Sequence, residues 1–137
     1  MSDIKITVEE RAGRKCASSG SKWEPIMGYS RAVRSGNTIA VTGCVGINAN
    51  GTYSKTFGEQ TARSLAIIQA AIEALGGKLE HVIRTRMFVT DVSKWEEVAR
   101  VHGSVFKDIR PATTIVEVAR LIDGDAVIEI EADAIVA

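Results

Sequence analysis

Glu129 and Glu131 stand two residues apart in a run where Ile128, Ile130, Ala132 and Ala134 alternate with acidic residues. Such alternation predicts a strand with one apolar and one polar face, so the two carboxylates share the polar face. A carboxylate whose pKa is raised by burial can act as a general acid or base. A solvated edge or a salt bridge between subunits is the plainer use of the same pattern. Tyr29 and Arg31 repeat the two-residue spacing, which on extended backbone places them about 7 Å apart on one face; cross-strand packing is their default reading. Cys44 follows a strand, between Gly43 and Gly46. A reactive thiolate needs a neighbouring cation, none is visible, and a small apolar filler is the better reading. His102 falls near the apolar stripe of a helix, as a core or interface histidine would. Trp95 opens that stripe and reads as packing, whereas Trp23, in the loop segment SKWEPIMGYS, lies where aromatic residues line pockets.

Several chemistries are excluded by spacing. His81 and His102 are far apart, and neither Cys16 nor Cys44 has a second ligand at metal-binding distance in sequence. Gly43–Gly46 is not followed by the Lys-Ser/Thr of a phosphate loop, and no serine occupies a nucleophile elbow. No cofactor motif is present. Seventeen basic residues balance seventeen acidic ones, which argues against a nucleic-acid partner. No run approaches the roughly 20 apolar residues of a membrane helix, so no membrane partner is expected. Two cysteines suit a reducing compartment; with a charged start that lacks a signal-peptide core, they make the expected location cytoplasmic.

The elements that must position these groups follow from periodicity. Ile4, Ile6 and Val8 predict a first strand and residues 12–21 a loop. Residues 29–34 and 38–42 predict a hairpin around Ser35-Gly36-Asn37. Thr56 and Glu59 have capping-box spacing, and Leu65, Ile68, Ile72 and Leu75 then line one helical face up to Gly76-Gly77. Val82–Val89 predicts a strand. Ser93 and Glu96 repeat the capping spacing before a second helix whose face bears Trp95, Val98, Val101 or His102, and Val105. Residues 113–119 and 127–135 predict the last strands. The order is ββ(β)αβαββ in one domain, residues 1–137, an α+β fold. Two helices cannot cover both faces of so wide a sheet, so they pack on one face. The other face meets water or further subunits.

These residues carry a resemblance. The run GYSRAVRSGNTIAVTG, residues 28–43, resembles the GPYSQAV...G...VSG opening of the RidA/YjgF family of enamine and imine deaminases and their relatives. Residues 59–98 resemble its first helix, central strand and second-helix start. RPATTIVEVARLIDGDAVIEIEADAI, residues 110–135, resembles its closing PAR..V.VA.L.....VEIE.IA pattern. The resemblance implies a chorismate-mutase-like (RidA-like) mixed sheet in a homotrimer, with small-molecule pockets between subunits. It implies for the best-studied branch hydrolysis of 2-imino acids to 2-keto acids and ammonia. By that resemblance Glu129 positions water, Tyr29 and the Thr42–Gly43 turn help bind substrate, and His102 takes the place of a helix asparagine. The family's carboxylate-clamping arginine falls on Thr113, which cannot form a bidentate charged pair. Arg110, three residues earlier, is about 10 Å away on extended backbone and faces oppositely. His102, Arg31 and Trp23 are then the features that would define a changed pocket. The sequence leaves three readings open: a hydrolase or deaminase of an imine-type substrate; a non-catalytic ligand-binding or protein-interaction module; and, third, the ribonuclease or translation-inhibitor activity ascribed to some family members.

Overall fold

The computed structural model describes residues 3–137. One seven-stranded sheet runs in the order β1-β2-β3-β4-β7-β5-β6. Its strands are β1 Thr7–Arg11, β2 Arg14–Ser18, β3 Ala32–Ser35, β4 Thr38–Val45, β5 Val82–Val89, β6 Ala112–Glu117 and β7 Ile128–Ile135. Neighbours are antiparallel except β5 and β6, which are parallel. A parallel pair needs a crossover long enough to return the chain. Here that crossover contains helix α3, Trp95–Phe106. Helix α2, Phe57–Ala74, fills the longer link between β4 and β5.

Strand β7 has the predicted alternation: Ile128, Ile130, Ala132 and Ala134 are buried, while Glu129, Glu131 and Asp133 are partly exposed. The buried set meets Leu65, Ile68, Ala71 and Ile72 of α2 and Val98 and Phe106 of α3 in one apolar cluster. Full burial of an isoleucine such as Ile68 stabilises by roughly 1.5–3 kcal/mol. Both long helices therefore lie on one face. On the other face Arg86 pairs with Glu131 at 3.3 Å and Asp133 at 3.1 Å.

Thr56 caps α2 by accepting from the Glu59 amide at 3.1 Å. The second cap differs from expectation. Asp91, not Ser93, accepts from the Ser93 amide at 3.0 Å and opens a single 3-10 turn before α3. Trp95 is 52% exposed, and the buried stripe of α3 is Val98, His102 and Phe106.

The N-terminal reading also needs correction. Ile4 and Ile6 pack against the core without belonging to a strand. Residues 14–18, expected in a loop, form β2, paired with β1 around Ala12-Gly13. Both turn residues have positive φ, 52° and 76°, as a twist-matched two-residue hairpin requires. A short helix α1, Trp23–Met27, occupies the expected loop, and Gly28 ends it in the left-handed conformation. Tyr29 and Arg31 accordingly precede β3. No helix among the described residues is long and apolar enough to cross a membrane.

Candidate functional site

The chemistry gathers where β4 bulges. Val41 pairs with Ala132 but Cys44 with Ile130, so one extra residue is accommodated at Thr42–Gly43. Bulges of this kind re-aim side chains. Beside it the chain leaves α1 at Gly28 and brings Tyr29 and Arg31 under the strand. Arg31 is 6% exposed, and its guanidinium is almost fully engaged. Nε donates to Ser19 Oγ at 3.1 Å, Nη1 to the Gly43 carbonyl at 2.8 Å, and Nη2 to the Tyr29 hydroxyl at 3.3 Å. Glu24 of α1 supplies the counter-charge at 3.8 Å.

Glu24 is itself buried and accepts from the Ser19 amide and hydroxyl at 3.1 and 2.7 Å. Burial works against its charge, but the bonds from Ser18 and Ser19 and the Arg31 cation outweigh it, and its pKa lies below the usual value. Arg31 and Glu24 are thus a satisfied ion pair that stiffens the floor of a cavity of about 580 Å³.

Glu129 projects from β7 into that cavity. Its carboxylate lies directly over Gly43: a Cβ at that glycine would stand 2.5 Å from Glu129 Oε2. No hydrogen-bond donor to Glu129 is found among the described residues. Burial raises its pKa; Arg31 draws it down and Glu131 raises it further, and the net shift is upward. Cys44, beneath, is buried with its thiol donating to the Thr42 carbonyl at 3.2 Å. Arg31 Nη1 lies 3.7 Å from the sulfur, so the cation unseen in the sequence is present. Burial nevertheless prevails and pushes the thiol up to about 11, which leaves Cys44 a protonated filler.

Sequence reasoning missed the opposite wall. Tyr53 donates to Asp123 Oδ2 at 2.9 Å, joining loops 70 residues apart. Burial, the bond to Asp123 and nearby Asp125 and Glu129 all raise the Tyr53 phenol. Both loops are anchored on buried Gln60. Its Nε2 donates to the carbonyls of Ser54 and Asp125 at 2.9 and 3.0 Å, and its Oε1 accepts from the Val127 amide at 2.9 Å. In sequence Tyr53, like Trp23, reads as a loop aromatic, and the same argument would have found it. Glu24 and Asp123 carry no comparable signal.

Of the sequence-derived residues, Trp23, Tyr29, Arg31, Gly43 and Glu129 line one cavity. Trp23 does so from α1, with Lys22 Nζ 4.9 Å from its ring centroid. Thr42 does not line it: its hydroxyl donates to the Ser30 carbonyl at 2.7 Å and ties β4 to the Tyr29–Arg31 segment. His102 and Thr113 lie elsewhere in the chain, on the helix side of the sheet. His102 Nε2 is 2.9 Å from Thr85 Oγ1 and 3.3 Å from Thr113 Oγ1, and the two threonine hydroxyls are also bonded to each other. Burial lowers the His102 pKa, and Phe106 packs on its ring at 4.7 Å. A second concavity of about 660 Å³, beside Ile4, Ile6 and α2, bears one carboxylate, Glu73, already bonded to Gln69. No group of metal-binding side chains occurs among the described residues.

Comparison with known proteins agrees with this architecture. The family model described as Endoribonuclease L-PSP matches residues 19–136. A RutC family protein of Pyrococcus horikoshii is 34% identical over 111 residues, 80% of this chain and 87% of the relative. A 2-iminobutanoate/2-iminopropanoate deaminase of Dermatophagoides farinae is 29% identical over 110 residues, 79% of this chain and 85% of that one. The crystal structure of a YjgF/YER057c/UK114 family member from Mycobacterium tuberculosis superposes with a TM-score of 0.84 at 44% identity, covering 90% of this chain and 99% of that one.

Proposed function

Since the chain belongs to the Endoribonuclease L-PSP family, the RidA/YjgF group that it resembles in sequence and fold, we propose that it is a RidA-like hydrolase of small imines or related substrates. Residues 1–137 would act as one domain in a homotrimer. The observation that carries the reading is Glu129, a carboxylate of raised pKa in a cavity, held over Gly43 with no donor of its own. A base poised in this way takes a proton from water as the water attacks the C=N carbon. Glu129 then returns that proton to the nitrogen, the carbon–nitrogen bond breaks, and the nitrogen leaves as ammonia, taking the hydroxyl proton as the carbonyl product forms. The Tyr29 hydroxyl accepts from Arg31, so its own proton is free to orient the substrate. In a pocket between subunits, Thr113 and His102 would come from a second copy, because their own chain keeps them apart from Glu129.

The test is turnover of an imine generated in place, comparing wild type with Glu129→Gln. General-base catalysis contributes about 10²–10⁴-fold, so the variant should lose at least about a hundredfold in kcat/KM while keeping its melting temperature and assembly. Equal turnover would refute the assignment. Turnover of 2-iminobutanoate in particular should be weak, since the two arginines that line the cavity, Arg31 and Arg63, are already engaged and leave none for its carboxylate. Charge-assisted bonds contribute roughly 1.5–3 kcal/mol each, and about 1.4 kcal/mol is a factor of ten. Light scattering should give three times the 14.7 kDa chain mass; a monomer mass would refute the trimer.

A second reading, a non-catalytic ligand-binding module on the same scaffold, is favoured by the engagement of Arg31 with Ser19, Gly43, Tyr29 and Glu24. Saturable binding without turnover of any imine would select it. The ribonuclease activity in the family's description is not adopted: the charge balance is even, which argues against a nucleic-acid partner.

A further inference from the structure

The charges that line the cavity do not remain balanced once their partners are assigned. Arg31 is paired with Glu24 and spends its donors on Ser19, Gly43 and Tyr29. Arg63 pairs with Asp3 at 2.6 Å and donates Nε to the Ile47 carbonyl at 2.9 Å. Lys22 lies over the Trp23 ring, and Lys5 and Lys22 are exposed at the rim. The two carboxylates left without a cation are Glu129 and Asp123, both only partly exposed. Tyr53 lines the same cavity and gives its proton to Asp123, so its oxygen remains able to accept. The apolar part of the lining is Trp23, Met27, Ile47, Ile67 and Ile122.

We infer that this pocket selects a cationic nitrogen on an aliphatic body without a carboxylate, an ammonium or protonated imine read by Asp123, Tyr53 and Glu129. The inference rests on the cavity being the substrate site, as proposed above, and names the class of substrate it takes. An aliphatic tail covers the apolar wall, while the N–H groups donate to Asp123, to the Tyr53 oxygen and to Glu129. A carboxylate-bearing analogue would place like charge against Glu129 and Asp123, with no unpaired cation in the interior to meet it. For the hydrolysis this means a substrate R₂C=NH₂⁺ that takes up water and gives R₂C=O and NH₄⁺. Asp123 is thereby a specificity residue, and Tyr53 and Gln60 position it. Gln60 fixes the bases of both loops and the Tyr53 bond joins their outer parts.

The test uses the intact protein in its native assembly and three probes of one shape: butylammonium, butanol and butanoate, titrated at pH 8 by calorimetry or ligand-observed NMR. Butylammonium should bind at least about tenfold more tightly than butanol, a difference of about 1.4 kcal/mol, and butanoate more weakly than either. Asp123→Asn should narrow the preference for butylammonium over butanol by weakening butylammonium, with butanol unchanged; Lys5→Gln should alter neither. Butanoate binding as tightly as butylammonium, absence of saturable amine binding, or an unchanged amine affinity in Asp123→Asn would each overturn the inference. Should Asp123→Asn fail to fold, the ranking of the probes on wild type decides alone. Failure of this ranking with imine turnover intact would remove only the substrate class. The correct ranking with no imine turnover would remove only the hydrolase reading.

Discussion

Replacement of Gly43 by alanine tests the geometry of the proposed base without touching the base. The added methyl would lie 2.5 Å from Glu129 Oε2, 2.7 Å from Cδ and 2.9 Å from Cγ. Carbon atoms in contact prefer about 3.5–4.0 Å, so the carboxylate must retreat by about 1 Å. The obstacle is the end of a flexible side chain, and Gly43 has no left-handed φ to protect. The strain is therefore that of one displaced rotamer, roughly 0.5–1.5 kcal/mol, and the fold should survive with its melting temperature lowered by a few degrees. Activity should suffer far more, since a misplacement of about 1 Å can cost about a hundredfold. The pH profile gives an independent reading. Burial raises the Glu129 pKa, and a base must be ionised, so the acid limb of kcat/KM lies above the ordinary glutamate value. Displacement toward water relieves that burial and should move the limb to lower pH. Gly103→Ala serves as control, because a Cβ there meets nothing within 4 Å; removing a mid-helix glycine should stabilise by roughly 0.5–1 kcal/mol and leave the profile alone. Full activity with an unmoved acid limb in Gly43→Ala would refute the assignment of Glu129 as the base held over this glycine.

Glu24→Ala should cost about 3–5 kcal/mol in denaturant unfolding, because it leaves the buried Arg31 cation without its counter-charge; a loss below about 1 kcal/mol would mean that Ser19, Gly43 and Tyr29 satisfy Arg31 unaided. His102 should confer acid sensitivity. Its folded pKa is depressed by burial from the ordinary 6.5, so the stability it contributes is complete above that value and is lost as pH falls through the depressed one. Melting temperatures of wild type and His102→Asn should therefore converge on acidification below about 6.5; a constant difference down to pH 5 would show that His102 does not ionise against burial.

The sheet and the two long helices were legible because their residues are repeatedly one-sided. Four apolar residues alternate along β7, and Thr56 with Glu59 announces α2. The N-terminal hairpin was not legible, and the reason is physical. All five residues of β1 are exposed, so no alternation marks the strand. Its turn, Ala12-Gly13, also lacks the Asn-Gly or Asp-Gly signal. Helix α1 has five residues, too few for a periodic face, and so the placement of Trp23 and Glu24 on it was hidden. In the site, Gly43 and Glu129 followed from the family resemblance, as did Tyr29. The role of Arg31 could not, because it depends on Glu24, which the left-handed Gly28 turn brings alongside.

Thr113 and His102 show why resemblance along a chain does not define one cavity. The resemblance assigned both to the substrate pocket with Glu129, yet the register of β5 with β6 sets Thr113 opposite Thr85, on the side where Thr85 is buried and bonded to His102. Glu129 leaves β7 on the other side of the sheet. Residues on opposite faces of one sheet can share a ligand only if a second copy brings one set to the other. The assembly is therefore part of the proposed chemistry, and a monomer should be inactive whatever the state of Glu129. The Arg31–Glu24 floor and the Tyr53–Asp123 wall, by contrast, are complete within one chain. Ligand recognition by charge should therefore survive dissociation of the proposed trimer even where turnover does not.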